Sequence, residues 1–409
     1  MDPYVIVGNG VAAVKAVEAI RATGDTTPIM MLTDQECAFY SRPCLYYIML
    51  GRIEWEDAWG RPPSWYAEHG VELDCNTAVT AVDPQAHTVR VEDKTDISYS
   101  KLLLATGTRA RLLPWADQHL RGIVTLNTLL DVVAITSILG SADRAVVAGG
   151  GLTSIELVET CRHWGVPTTF VMRDSRFLAK QLTDDEAELI HARLRANGVE
   201  VRTNEEIAEV SGRYGRVQRA TLKNTGEELY CGIAGNTVGV IPNKELVEEV
   251  GGETDRGIVA DGHMKTSLPD VYAAGDVAQV RGSDGMPSRS EMLWYVAADM
   301  GKVAGTNMAG AKAVYNRRVF LNVSEFCGLD FCGVGSIVPE QEGVEETILN
   351  GSGEGSMRFV TRDGVLIGAC FLGDIRLADI CRGLIASGAR LADLHSDHPV
   401  RHALARGAP

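Results

Sequence analysis

Two glycine-rich hexapeptides and one Gly-Asp pair are the residues in this sequence best placed to do chemistry. Gly8-Asn9-Gly10-Val11-Ala12-Ala13 and Gly149-Gly150-Gly151-Leu152-Thr153-Ser154 both follow the G-x-G-x-x-(small) pattern. In such a turn the first glycine allows a sharp bend and the second lets the backbone approach a pyrophosphate. The closing small residue seats the next helix close to the sheet, with its amides aimed at the phosphates. Ser154 stands where Gly or Ala is usual, and is small enough to serve. Ala274-Gly275-Asp276 puts a carboxylate at the end of a short apolar run, where it can accept a hydrogen bond from a ligand hydroxyl.

The elements around these residues have the order the chemistry needs. Tyr4–Val7 and Ala145–Ala148 read as buried strands directly before the two turns, and apolar residues at helical spacing follow each turn. Ile29–Leu32 is the next strand, and an acid after it would hold an adenosine ribose. Asp34 is the candidate, with an exposed loop acid as the alternative. After the second turn the corresponding strand, Thr168–Met172, ends in Met172 instead of an acid, and Arg173 and Arg176 follow. Loss of the acid with gain of Arg is expected where a 2′-phosphate is bound, so these two positions lean toward NADPH; solvated arginines are the plainer reading. Residues 266–276 enter a short buried strand through a Pro-Asp turn. Leu102–Leu104 is another buried strand, and Ala105, Thr106 and Gly107 after it let a backbone pass close to a ligand or to another segment. A helix is expected from about Trp294 to Met308, with Ala298, Gly301, Ala304 and Gly305 as small close-approach positions.

Phe39-Tyr40-Ser41-Arg42-Pro43-Cys44 joins an Arg, a rigid Pro and a thiol beside aromatics. Such a segment can pack over a flat ring and neutralise an anionic cofactor, or it can be an ordinary helix start with a packed Cys.

Composition sets outer bounds. The chain has 409 residues, 45% hydrophobic and 23% charged, as expected of a folded protein with two or three domains. A net charge of -15 disfavours nucleic acid and anionic membranes as partners. No apolar run approaches the roughly 18 residues a membrane span needs, and the N-terminus lacks a signal pattern, so a cytoplasmic location is expected. The nine cysteines are scattered without a Cys-x2-Cys pair, so no structural metal site is expected.

The ordered set Gly8–Ala13, Ala105–Thr108, Gly149–Glu156, Gly239–Asn243 and Thr266–Asp276 resembles the pyridine nucleotide-disulfide oxidoreductase superfamily over nearly the whole chain. The resemblance implies an α/β fold with two Rossmann-like dinucleotide-binding domains and a small α+β C-terminal interface domain. Residues 1–112 and 240–311 would form a split FAD domain, 113–239 an inserted NAD(P) domain, and 312–409 the interface domain. Gly8, Gly10, Ala13, Gly275 and Asp276 would hold FAD, with Asp34, Arg42, Pro43, Ala105, Thr106, Gly107 and Trp294 as further contacts. Gly149, Gly151 and Ser154 would hold the nicotinamide nucleotide, and Glu156 would sit where the nicotinamide stacks on the flavin.

Tyr40-Ser41-Arg42-Pro43 looks like the rubredoxin reductase branch of that superfamily. This implies an enzyme passing a hydride from NAD(P)H to FAD, then electrons to a small iron–sulfur protein of rubredoxin or ferredoxin type, with a homodimer possible through the C-terminal domain. Cys37 and Cys44 are seven apart, too far for the Cys-x4-Cys of the dithiol branch. A single-cysteine NAD(P)H oxidase, peroxidase or CoA-disulfide reductase working through Cys44 is the alternative. A flavin-binding electron-transfer subunit of a larger complex is the third. Tyr47 stands where oxygenase-coupled ferredoxin reductases carry a Lys, which leaves Glu156 without its expected partner.

Overall fold

The structure is a computed structural model that describes residues 2–92, 96–116, 119–282, 284–288, 290–339, 341–350 and 355–406. The chain forms two compact units. Met1–Ala110, Asn127–Leu129 and Val240–Arg317 make the first, and Arg111–Leu126, Leu130–Gly239 and Arg318–Pro409 the second.

The first unit is built on a parallel sheet in the order Val271–Ala273, Lys101–Leu104, Tyr4–Val7, Ile29–Leu32, Val71–Asp74. Tyr4–Val7 is central and buried at every position, as expected of an apolar strand covered on both faces. The central position brings the turn after Val7 to the carboxyl edge, where doubly wound sheets bind ligands. Helix Val11–Ala22 packs against helix Trp294–Met308 at the distance of backbones rather than side chains. A Cβ on Gly301 would lie 2.1 Å from the carbonyl oxygen of Ala12, and one on Gly305 2.2 Å from that of Ala16. Two of the expected small positions, Gly301 and Gly305, thus have their role in helix–helix contact. Val79–Asp83, Thr88–Val91 and Ile97–Ser98 form a separate antiparallel sheet.

The second unit repeats the plan. Its parallel sheet runs Val199–Arg202, Thr168–Val171, Ala145–Ala148, Ile233–Asn236, Ile123–Val124, again with the strand before the glycine turn in the middle. Ile207–Arg213, Arg216–Leu222 and Glu228–Tyr230 form an antiparallel sheet. The C-terminal part is an antiparallel sheet in the order Leu321–Phe326, Leu329–Gly335, Val365–Leu372, Ser356–Arg362, Glu345–Asn350, with helix Ala378–Ser387 in the same apolar cluster.

The strand Glu345–Asn350 is not apparent in the sequence because four of its six residues are polar; it sits at a sheet edge and is held by pairing with Ser356–Arg362. A helix at Pro399–Arg406 also extends the chain's last element beyond the helix expected near 376–387.

Candidate functional site

In the first unit the Gly8 turn is shaped by its neighbours. Gly8 has φ +106, and a Cβ there would stand 2.2 Å from the carbonyl oxygen of Ala105, so two strand ends meet with no room for a side chain. Gly10 is the residue before the helix, with no side-chain cap, and a Cβ on it would meet nothing within 4 Å. The space above Gly10 is open, and the first helical turn carries no acid. Those are the conditions for an anion at a helix N-terminus. Ala13 is fully buried. Tyr66 supports the turn by donating its hydroxyl to Oδ1 of Asn9 at 2.9 Å.

Ala105, Thr106 and Gly107 are held from behind by Asn243. Thr106 Oγ1 donates to the Asn243 carbonyl at 2.8 Å, and Asn243 Nδ2 donates to the Thr106 carbonyl at 2.9 Å. The Asn243 amide donates to Gly107 at 3.0 Å, and Val240–Pro242 pairs antiparallel with Thr108–Ala110. Two separate sequence motifs therefore form one piece of structure.

Gly275, at φ +83, brings the third motif in: its Cβ would lie 3.1 Å from Cβ of Ala12. Asp276 follows, half-buried, and among the described residues no group donates to its carboxylate. Burial raises its pKa, and the positive charge of Arg42 opposes that shift. Arg42 donates to Oδ1 of Asn127 at 3.2 Å, a partner that nothing in the sequence indicates. Pro43 precedes the short helix Cys44–Met49, whose first residue, Cys44, is half-buried. Asp34 is exposed just beyond the Ile29–Leu32 strand, and Trp294 opens its helix with 43% of its surface exposed.

In the second unit a Cβ on Gly149 would lie 2.6 Å from the carbonyl oxygen of Thr237 and 2.7 Å from Oγ of Ser154. Gly150 and Gly151 face open space. Ser154 is fully buried; its hydroxyl accepts from the Gly151 amide at 2.9 Å and donates to the Gly151 carbonyl at 2.6 Å. Serine thus closes the helix–sheet contact and ties the turn together at once. Glu156 lies on the same helix, Leu152–His163, and burial, with Glu159 adding to it, raises it to about 7.

The two arginines after Thr168–Val171 differ. Arg173 is largely exposed, with Asp174 3.6 Å away. Arg176 is committed to its own loop: it donates to the Leu182 carbonyl at 2.9 Å, to Asp184 at 2.7 Å and to the Ala179 carbonyl at 3.3 Å. Met172 is fully buried, so its position belongs to the core.

Comparison with known proteins agrees with this geometry. The family model for pyridine nucleotide-disulphide oxidoreductases matches residues 2–301. The chain belongs to the pyridine nucleotide-disulphide oxidoreductase family. It is 32% identical over 278 residues to a rubredoxin-NAD(+) reductase of Pseudomonas putida, covering 68% of this chain and 72% of the relative. It is 30% identical over 341 residues to the ferredoxin–NAD(+) reductase component of the anthranilate 1,2-dioxygenase system of Burkholderia cepacia, covering 81% and 82%. A ferredoxin reductase structure from Rhodopseudomonas palustris superposes with a TM-score of 0.88 at 22% identity over 100% of both chains, which speaks for the fold.

As a member of this family the chain is an oxidoreductase, and the family supports FAD and NAD(H) as its cofactors. The residues present fit them: each unit has an open glycine turn at a helix start, and the first also offers the Asp276 carboxylate, to which none of the described residues donates a hydrogen bond. Among the described residues no helix is long and apolar enough to cross a membrane, and no cluster of His, Cys, Asp or Glu is arranged for a metal.

Proposed function

We propose that this chain is an FAD-dependent NAD(P)H oxidoreductase that delivers electrons to a small iron–sulfur protein of rubredoxin or ferredoxin type. The observation that carries the reading is the junction of Gly8–Ala13 with Ala274–Asp276 beside Ala105–Gly107, an open turn with a waiting carboxylate. Bound FAD would supply the chemistry, accepting a hydride at N5 and releasing electrons singly. The protein's part is to bind and orient. Gly8, Gly10 and Ala13 take the FAD pyrophosphate, Asp276 accepts from its ribityl or phosphate region, and Arg42 offsets negative charge there. Asp34, Pro43, Ala105, Thr106, Gly107, Gly275 and Trp294 complete the proposed FAD contacts. Residues 1–112 and 240–311 are accordingly read as the FAD domain, 113–239 as the NAD(P) domain and 312–409 as the interface domain.

Gly149, Gly151, Ser154 and Glu156 take the nicotinamide nucleotide in this reading. The exposed guanidinium of Arg173 supports NADPH, while Arg176 shapes the loop that presents it. The partner is an iron–sulfur protein because the curated relatives are named for rubredoxin and ferredoxin reduction. The C-terminal domain, with an exposed Val323 on an edge strand, is assigned to a homodimer or to that partner. Nine free thiols support a reducing compartment, the cytoplasm.

The test is an anaerobic spectral titration of the flavin-loaded protein with NADH and NADPH, followed by addition of oxidised rubredoxin or, in a parallel sample, oxidised ferredoxin. Flavin bleaching by nucleotide and its reversal by rubredoxin are expected. Bleaching that rubredoxin and ferredoxin both fail to reverse would overturn the partner.

A further inference from the structure

The second glycine turn needs restraint from outside itself. Gly149, Gly150 and Gly151 stand in a row, and no residue type has more backbone freedom to lose on folding. The peptide between Gly150 and Gly151 is held on both sides. Its N–H donates to Oγ of Ser154 at 2.9 Å, within the turn. Its carbonyl, on Gly150, accepts from the Leu178 amide at 3.1 Å. A trans peptide points these two groups in opposite directions, so the two bonds together fix its plane.

Leu178 sits at φ +46, in the left-handed region that side chains rarely enter, so its own conformation has to be held. The Gln181 and Leu182 amides donate to its carbonyl at 2.7 and 3.0 Å. On its other side the main-chain N–H of Phe177 donates to Nε2 of His191 at 3.2 Å, and both residues are buried. The Phe177 ring packs edge-on to Phe170 and Phe326, with centroids 6.2 and 5.4 Å away.

The bond to His191 has a direction that fixes the state of the ring. An amide N–H only donates, so Nε2 offers its lone pair and the imidazole is neutral. The ring proton is on Nδ1, which faces Oε2 of Glu188 at 3.5 Å on the same helix, Asp184–Ala196. Arg195 of that helix holds the other oxygen of Glu188 at 2.6 Å. Burial lowers the pKa of the ring, in keeping with the neutral form.

We propose that His191 is a positioning residue: through Phe177 and Leu178 it holds the triple-glycine turn in shape, and so sets how tightly the turn binds a pyridine nucleotide. The last step rests on the reading of Gly149–Ser154 as the nucleotide site. The steps before it rest on the bonds that run from His191 to Gly150.

The experiment uses the full flavin-loaded chain as wild type, His191→Leu and His191→Gln. Leucine removes the acceptor, whereas glutamine carries an amide oxygen about as far from its backbone as Nε2. Nitrogen NMR of histidine-labelled protein reads the tautomer, with the His191 signals identified by their loss in the variants. Hydrogen exchange reads the amides of residues 177–182, and NAD+ titration reads affinity. His191 is expected to carry its proton on Nδ1. His191→Leu is expected to speed exchange across 177–182 and to weaken NAD+ binding about tenfold, with flavin content unchanged. His191→Gln is expected to restore most of both. A proton on Nε2 overturns the proposal, and this reading of the wild type decides even where His191→Leu does not fold. Losses in His191→Gln as large as in His191→Leu overturn it, as does unchanged exchange at 177–182 in His191→Leu. Faster exchange there with unchanged NAD+ affinity overturns the nucleotide-site reading and leaves the link from His191 to the turn standing.

Discussion

Gly275 and Ala12, which lie near opposite ends of the first unit's sequence, meet so closely that a Cβ on Gly275 would stand 3.1 Å from that of Ala12. The contact fixes Asp276 beside the first glycine turn. Gly275→Val should therefore cost about 2–4 kcal/mol, combining positive-φ strain with overpacking, and should release flavin. Gly10→Ala meets open space at an ordinary φ, so it should leave the flavin-free melting temperature unchanged while lowering flavin content. Melting curves with and without FAD separate the two effects; equal destabilisation by both substitutions would contradict this account.

Asp276 carries a burial cost when no ligand is bound. Its folded pKa is raised, so its contribution to stability is present below the unfolded carboxylate pKa and is lost as pH rises through the folded value. Asp276→Asn should raise the melting temperature of the flavin-free protein at neutral pH and weaken FAD binding. A variant that melts lower without FAD would count against this.

Arg358 and Glu186 form a fully buried pair in the second unit, with N···O distances of 2.9 and 3.0 Å. Arg358 also donates to the Gln181 and Ile337 carbonyls at 2.7 and 3.1 Å. Arg358→Ala should cost roughly 3–5 kcal/mol because it strands the Glu186 carboxylate. Glu186→Leu with Arg358→Met should cost less than either change alone. Chemical denaturation of Arg358→Ala, Glu186→Leu, Arg358→Met and the double variant gives the comparison.

Arg173 and Arg176 should behave differently although both follow the same strand. Arg173→Ala should reduce NADPH affinity about tenfold with little change for NADH, as expected for loss of one charge-assisted phosphate contact. Arg176→Ala should weaken both nucleotides alike and lower thermal stability, since its bonds go to its own loop. Binding titrations with both nucleotides decide the matter.

Cys44→Ser should retain NAD(P)H:acceptor turnover if electrons leave directly for an iron–sulfur partner. Complete loss of turnover with flavin still bound would instead favour a thiol mechanism at Cys44.

Local sequence determined a good part of this protein. The two strand–glycine-turn–helix units were legible because φ, Cβ clearance and apolar periodicity are properties of a few neighbouring residues, at Gly8–Ala13 and at Gly149–Ser154 alike. The α/β class follows from them. Tertiary structure decided what no short window contains. It placed Asn243 behind Thr106 and Asn127 against Arg42, drew Arg176 into its own loop while leaving Arg173 exposed, and docked Cys327 on Glu159. Each of these depends on which polar group finds its partner once distant segments pack. Hydrogen-bond partners and the burial that shifts Glu156 are set by that packing, so the residue types alone left them open.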